Sequence, residues 1–198
     1  MLNAEYREID KRKIAINDKE LSARLGRICS HTDPELFRVC EAVLQAAEPR
    51  YAVRRVPVSI SDGAVDLFFT KTESAALIKN LSGVTEAFVI AVTLGIEIDR
   101  IISRLSKTSR AEAFIFDAVA SAVIEAAADV MEDEITEGYK TSPRFSPGYG
   151  DFSLDCQGAL LDLLGAPVYL GITLTETGLM SPIKTVTAVI GIKEKLSE

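Results

Sequence analysis

Tryptophan is absent, histidine occurs once and the three cysteines form no CxxC pair, so the residue types that build most zinc centres and thiol-redox motifs are nearly missing. Cys29, His31 and Cys40 lie near one another in sequence, but structural zinc needs four converging ligands. Cys40 moreover falls on the apolar face of a helical pattern, and His31 falls in the turn SHTDPE. With no Ser-His or Cys-His pairing to activate a nucleophile, nothing points to covalent catalysis. The odd cysteine count argues against a disulfide framework and fits a reducing compartment. Positive charge is scarce too: 22 Lys and Arg against 29 Asp and Glu leave a net charge of -7, which repels nucleic-acid phosphates and anionic membrane surfaces. Apolar stretches break well short of a membrane span, and the opening MLNAEYREIDKRK has no apolar h-region of a secretory signal. These absences lead us to expect a cytoplasmic protein whose partners include neither nucleic acid nor membrane.

What is present is the composition of a globular domain, with 47% hydrophobic and 26% charged residues over 198 positions. We expect one domain over residues 1–198, in which residues 1–50 form a helical part packed on the body. NDKELSARLGRI and TDPELFRVCEAVLQAAEP both carry helical periodicity. The second starts sharply, with Asp33 as N-cap, Pro34 in the first turn and Glu35 complementing the dipole. YAVRRVPVSIS reads as a strand, SDG as a turn and AVDLFF as a returning strand. KTESAALIKNLSG is a short helix closed by Gly83, TEAFVIAVTLG suits a sheet centre, and EIDRIISRLSKT returns to helical period. The longest element is an Ala-rich helix over 110–139 with no Gly or Pro before Gly138. Ala118, Ala122 and Ala126 permit close packing on one face, whereas Asp117, Ser121, Glu125 and Asp129 recur every four residues on another, the pattern of a solvated stripe. The fold class expected is α+β: a mixed, largely antiparallel sheet with surrounding helices and one long central helix.

After Gly138 the periodicity stops, and KTSPRFSPGYGDFS is too irregular for helix or strand. Within it Pro147 restrains the backbone, Gly148 allows close approach and Tyr149 offers a flat face with a polar tip. Arg144 either grips an amino-acid carboxylate through its guanidinium fork or pairs with an acid of the long helix.

Arg144-Phe-Ser-Pro-Gly-Tyr149 resembles the Arg-x-x-x-Gly-Tyr signature of the activation domain of vitamin B12-dependent methionine synthase. The order of landmarks agrees over roughly 85–193: a long helix with Glu125, the loop, CQGALLDLLGA, then Leu174-Thr175-Glu176, Met180, Pro182 and TVTAVIGI. Two features depart from the family. Gly150 and Asp151 follow the motif where Pro and a small residue are usual, and the last strand lacks an aromatic residue near its end.

The resemblance implies binding of S-adenosylmethionine and support of the reductive methylation, or reactivation, of cob(II)alamin in methionine biosynthesis. It implies that Arg144 holds the ligand carboxylate, that Gly148 and Tyr149 shape the loop, and that Glu125 faces the amino group or the sulfonium. Asp151 is expected to bind ribose or to cap the helix near Leu154, and the resemblance further implies that Tyr149 faces the corrin. Asp62 and Asp66 are weaker candidates for an acidic ligand contact. No Asp-x-His-x-x-Gly loop is present, so cobalamin would be supplied by a partner, the cobalamin-binding subunit of methionine synthase. A flavodoxin- or ferredoxin-like donor would supply the electron, and the chain would be a methyltransferase subunit that acts only with that partner. Two alternatives are a reactivation partner of another corrinoid methyltransferase and a docking module that has lost ligand binding. A Rossmann-type methyltransferase is disfavoured, because no Gly-rich strand-helix turn occurs in the first half with a ribose-binding acid at suitable spacing.

Overall fold

The computed structural model describes residues 3–196. Local capping sets the helix boundaries. Asn17 accepts from the backbone N–H groups of Lys19 and Glu20 to start α1 (Asp18–Leu25), and Gly26, at φ 66°, ends it. Pro34 opens α2 (Pro34–Ala46) as its pattern predicts, but the Asp33 carboxylate accepts from Ser30 N at 3.0 Å instead of capping that helix. Ser74 caps α3 (Ala75–Asn80); α4 (Ile96–Thr108) runs almost directly into α5 (Arg110–Thr136), capped by Ser109. Two short helices, α6 (Cys156–Leu163) and α7 (Ala166–Tyr169), complete the set. No helix among the described residues is long and apolar enough to cross a membrane.

The main sheet holds β1 (Glu5–Glu8), β2 (Arg50–Pro57), β6 (Glu86–Thr93), β10 (Thr185–Lys195) and β7 (Tyr139–Thr141) in that spatial order, with every neighbouring pair antiparallel. The apolar run over 85–95 therefore takes the central position its composition predicts. The long strand read over 51–61 is interrupted at Val58: β2 stays in the main sheet, while β3 (Ser59–Ser61) and β4 (Ala64–Asp66) form the expected hairpin in a small second sheet with β5 (Lys71–Thr72). β8 (Thr173–Leu174) and β9 (Met180–Ser181) make a separate two-stranded ribbon. Residues 1–50 are not purely helical, because β1 adds an edge strand to β2. Its EYRE sequence is exposed along its length and carries no apolar alternation.

Strand pleating divides the core in two. Tyr51, Val53, Phe88, Ile90, Val92 and Ile190 face α5 and the helices beside it, whereas Ala52, Val56, Ala87, Val89, Ala91 and Val189 face α3, α6 and α7. α5 buries twelve residues, seven of them alanine, which seats the helix close against the sheet. On the opposite face Gly191 is demanded by packing: a Cβ there would lie 2.8 Å from Leu81 Cδ2 and 2.9 Å from Val84 Cγ2. The architecture is the α+β class expected, with a sheet that is antiparallel throughout rather than mixed.

Candidate ligand-binding cleft

The cleft arises where β10 loses its outer neighbour. β7 covers β10 only from Ile192 onward; beyond it Ser142 N donates to Gly191 O, and Phe145 and Val189 exchange both backbone bonds at 2.9 Å. The chain then turns away: Tyr149 N donates to Ser146 O and Gly148 N to Phe152 O. Thr185, Val186 and Thr187 are left as the floor of a cleft of about 560 Å³. One wall is α5 with the Arg144 loop, and the other is formed by Leu154, Gln157 and Met180.

Arg144 stands at the centre of the charged wall. Its guanidinium pairs with Asp129 Oδ1 at 2.6 Å and Glu132 Oε2 at 3.3 Å, and lies 3.7 Å from Glu125 Oε2. The pairing with acids of the long helix, one of the two alternatives read from the sequence, is thus present. Even so, Arg144 Nη1 is buried without a partner among the described residues, and the side chain, 20% exposed, borders the cleft. Arg24, bound to Glu20 at 2.6 Å, approaches Glu125 at 4.0 Å. Four carboxylates (Glu20, Glu125, Asp129, Glu132) against two guanidinium groups (Arg24, Arg144) leave two negative charges in excess. Burial raises the carboxyl pKa of Glu125 and of Glu132, and the neighbouring Arg144 only partly offsets it.

The stripe of Asp117, Ser121, Glu125 and Asp129 is consequently not the solvated face its periodicity suggests. Its C-terminal half meets Arg144, and its N-terminal half meets Lys184. That Lys184 Nζ lies 2.7 Å from Asp117 Oδ1 and donates to Ser121 Oγ at 2.8 Å. Both cations come from distant segments, which the periodicity of α5 alone does not disclose.

Of the residues read from sequence, Arg144, Tyr149 and Glu125 converge on one cleft. Tyr149 stands at its rim, 57% exposed, edge-on to Phe145 at 6.0 Å between ring centroids. Gly148, at φ 93°, serves the loop itself, because a Cβ would approach Leu154 Cδ2 to 3.1 Å. Asp151 turns away from the cleft. Its carboxylate accepts from Ser74 Oγ (2.5 Å), Ala75 N (2.7 Å) and Ala76 N (3.1 Å), so it ties the loop to the start of α3 rather than capping the helix near Leu154. The hydrogen bond from Ser74 and those from the α3 amides hold its pKa below the usual range. Asp62 and Asp66 belong to the β3–β4 hairpin; Asp66 accepts from Phe68 N at 2.8 Å, and neither lines the cleft. His31 pairs with Asp18 at 2.6 Å, and burial raises the Cys40 thiol to about 11. No group of three or more His, Cys, Asp or Glu among the described residues is arranged to hold a metal ion.

Sequence reasoning passed over Glu132, Gln157 and Lys184. For Gln157 a signal existed: a lone amide in the apolar stretch CQGALLDLL, on a helix that packs against the sheet.

No family model and no curated protein matches the chain. Among solved structures it is similar to a crystal structure of the MetH reactivation domain bound to AdoHcy, with a TM-score of 0.69 and 18% sequence identity, over 100% of this chain and 80% of that one. At that identity the likeness is one of fold, and the chain has an α+β fold similar to that of the MetH reactivation domain.

Proposed function

We propose that the chain binds S-adenosylmethionine in the Arg144 cleft and supports reductive methylation of cob(II)alamin held by a methionine synthase partner. The observation that carries the reading is the pairing, in one cleft, of an unpartnered guanidinium nitrogen with half-buried carboxylates in excess. An α-amino acid with a cationic sulfur needs both: an anion receptor for its carboxylate and an anionic surface for its ammonium and sulfonium. The resemblance of the Arg144–Tyr149 loop, and the fold shared with a domain solved with AdoHcy, point the same way.

When bound, the ligand supplies a methyl group activated by its positively charged sulfur, for transfer to partner-held cobalamin reduced by an external one-electron donor. This chain's work is orientation. The Arg144 guanidinium takes the carboxylate, Glu125 and Glu132 take the ammonium, and Tyr149 at the rim limits the tilt of the exposed part of the ligand. No side chain needs to accept or give a proton, so the sparseness of histidine is no obstacle.

The test is calorimetric titration of the chain with S-adenosylmethionine and with AdoHcy, followed by addition of the chain, S-adenosylmethionine and a reductant to an oxidised methionine synthase lacking this module. Saturable binding and growth of methylcobalamin absorbance are expected. Absence of binding would overturn the reading and favour a docking module without a ligand, to which the direct Asp129–Arg144 pair lends some support.

A further inference from the structure

The wall opposite Arg144 is apolar apart from one residue. Leu154, Met180 and the buried Pro147, with Tyr149 at the mouth, line the cleft around Gln157, which is only 4% exposed yet borders it. Gln157 Nε2 donates to Thr187 Oγ1 at 2.7 Å and lies 3.0 Å from Met180 Sδ. A thioether sulfur can only accept, so a flipped amide would set two acceptors against each other; Met180 fixes the orientation. Oε1 is left without a partner among the described residues. Beside it, Thr187 has its backbone N–H and C=O on the uncovered edge of β10, since Val189, two residues on, exchanges both its bonds with Phe145 across that edge.

A flat heterocycle suits such a wall: apolar side chains for its faces and a few fixed polar atoms for its edge. The backbone pair of Thr187 offers one donor and one acceptor, and so tolerates either purine type. Gln157 Oε1, locked as an acceptor, does not. Resting on the reading above, we infer that Gln157 selects a 6-aminopurine over a 6-oxopurine, its Oε1 accepting from the exocyclic amino group. A 6-oxopurine would bring its own carbonyl oxygen against Oε1, and although the Thr187 hydroxyl could donate to a turned amide, turning would set Oε1 against the sulfur of Met180.

Calorimetric titration of the whole chain with S-adenosylhomocysteine and with S-inosylhomocysteine reads this directly. The inosine compound should bind roughly tenfold to hundredfold more weakly, the range expected when a buried acceptor meets a second acceptor. In Gln157→Leu the two affinities should fall within about threefold of each other. Met180→Leu, which keeps volume but frees the amide to turn, should also narrow the gap, and it reports even if the Gln157 variant fails to fold. Equal binding of both compounds by the wild-type chain overturns the inference while leaving S-adenosyl ligand binding intact, as does an unchanged preference in either variant that folds. Binding of neither compound overturns the proposed function itself.

Discussion

One helix face carries two cationic anchors of opposite character. Near the start of α5, Lys184 is 7% exposed, its ammonium engaged by Asp117 and Ser121, while Asp99 pins the same segment through Ile183 N at 2.8 Å. Two to four turns on, Arg144 faces three carboxylates of α5, keeps one nitrogen unpartnered and looks into a cleft. Ion pairing occurs at both places. At the Lys184 end the ammonium is buried and both of its contacts hold the start of β10 to α5, with Asp117 half-exposed. The Arg144 end has charge in excess, desolvated carboxylates and space beside them, which is what a site needs if a ligand is to complete it. An unpartnered cation facing carboxylates in excess, rather than ion pairing or desolvation as such, separates the proposed binding end from the structural end, because at the Lys184 end the unpartnered buried atom is an oxygen of Asp99 and the ammonium is engaged.

Arg144→Ala should break the comparison most severely. Loss of the carboxylate receptor, with Glu125 and Glu132 left uncompensated, should weaken S-adenosylmethionine binding by about a hundredfold or more, as truncation of one partner of a buried charged contact does. Calorimetry at neutral pH checks this, and an affinity within about threefold of wild type would remove Arg144 from the site. Lys184→Met tests the other end. Because Lys184 is nearly sealed but Asp117 is half-exposed, the cost should be about 2 kcal/mol, below that of a fully buried pair. A thermal midpoint roughly 4–8 °C lower is the expected reading for a chain of this size, with ligand affinity of the folded protein kept. A variant as stable as wild type that had lost ligand binding would reverse the two assignments.

Glu125→Gln should weaken binding by about tenfold, one charge-assisted contact being lost while its shape is retained. The wild-type chain carries a related pH signature. Burial raises Glu125 and Glu132 above the ordinary value of 4.5, so on acidification both protonate earlier than exposed glutamates, and attraction for the ligand ammonium should fade above pH 4.5. Folding has the other sign. A carboxyl whose pKa is raised in the folded state binds more protons there than in the unfolded chain, so its contribution to stability improves as pH falls through the same window. Titrations from pH 7 down to 4.5, paired with melting curves, should therefore show affinity declining without a matching loss of stability from these two groups. A pH-independent affinity would place the ammonium elsewhere.

Much of the architecture was legible because it is written in local pattern. The central strand announces itself by eight consecutive residues suited to burial on both faces, and α5 by its alanines and its lack of Gly or Pro. The Arg144 loop stands out in the sequence because Pro147, Gly148 and Tyr149 are contiguous and break the helical period. What escaped was fixed by long-range partners. Lys184 meets Asp117 across 67 residues of chain and Asp151 meets Ser74 across 77, so neither an acid stripe nor an acid after a motif shows which cation or amide it will find. β1 escaped for a different reason: EYRE pairs through its backbone at an exposed edge, where side chains leave no periodic trace.

The smallest expected effect has the least intuitive sign. Asp129 makes the shortest contact to Arg144, at 2.6 Å, yet its side chain is 69% exposed. In water a pair of this kind is worth about 0–1 kcal/mol, far less than its distance suggests. If Arg144 serves a ligand carboxylate, Asp129 is a competitor for the same guanidinium rather than a support, and neutralising it frees donors without changing the shape of the cleft. Asp129→Asn should thus leave the thermal midpoint within about 4 °C and tighten ligand binding by up to about threefold. Weakening by tenfold instead would mean that Asp129 orients Arg144 toward the ligand, and the negative excess at this end of α5 would then be scaffold for the guanidinium rather than a receptor for the ligand's positive charge.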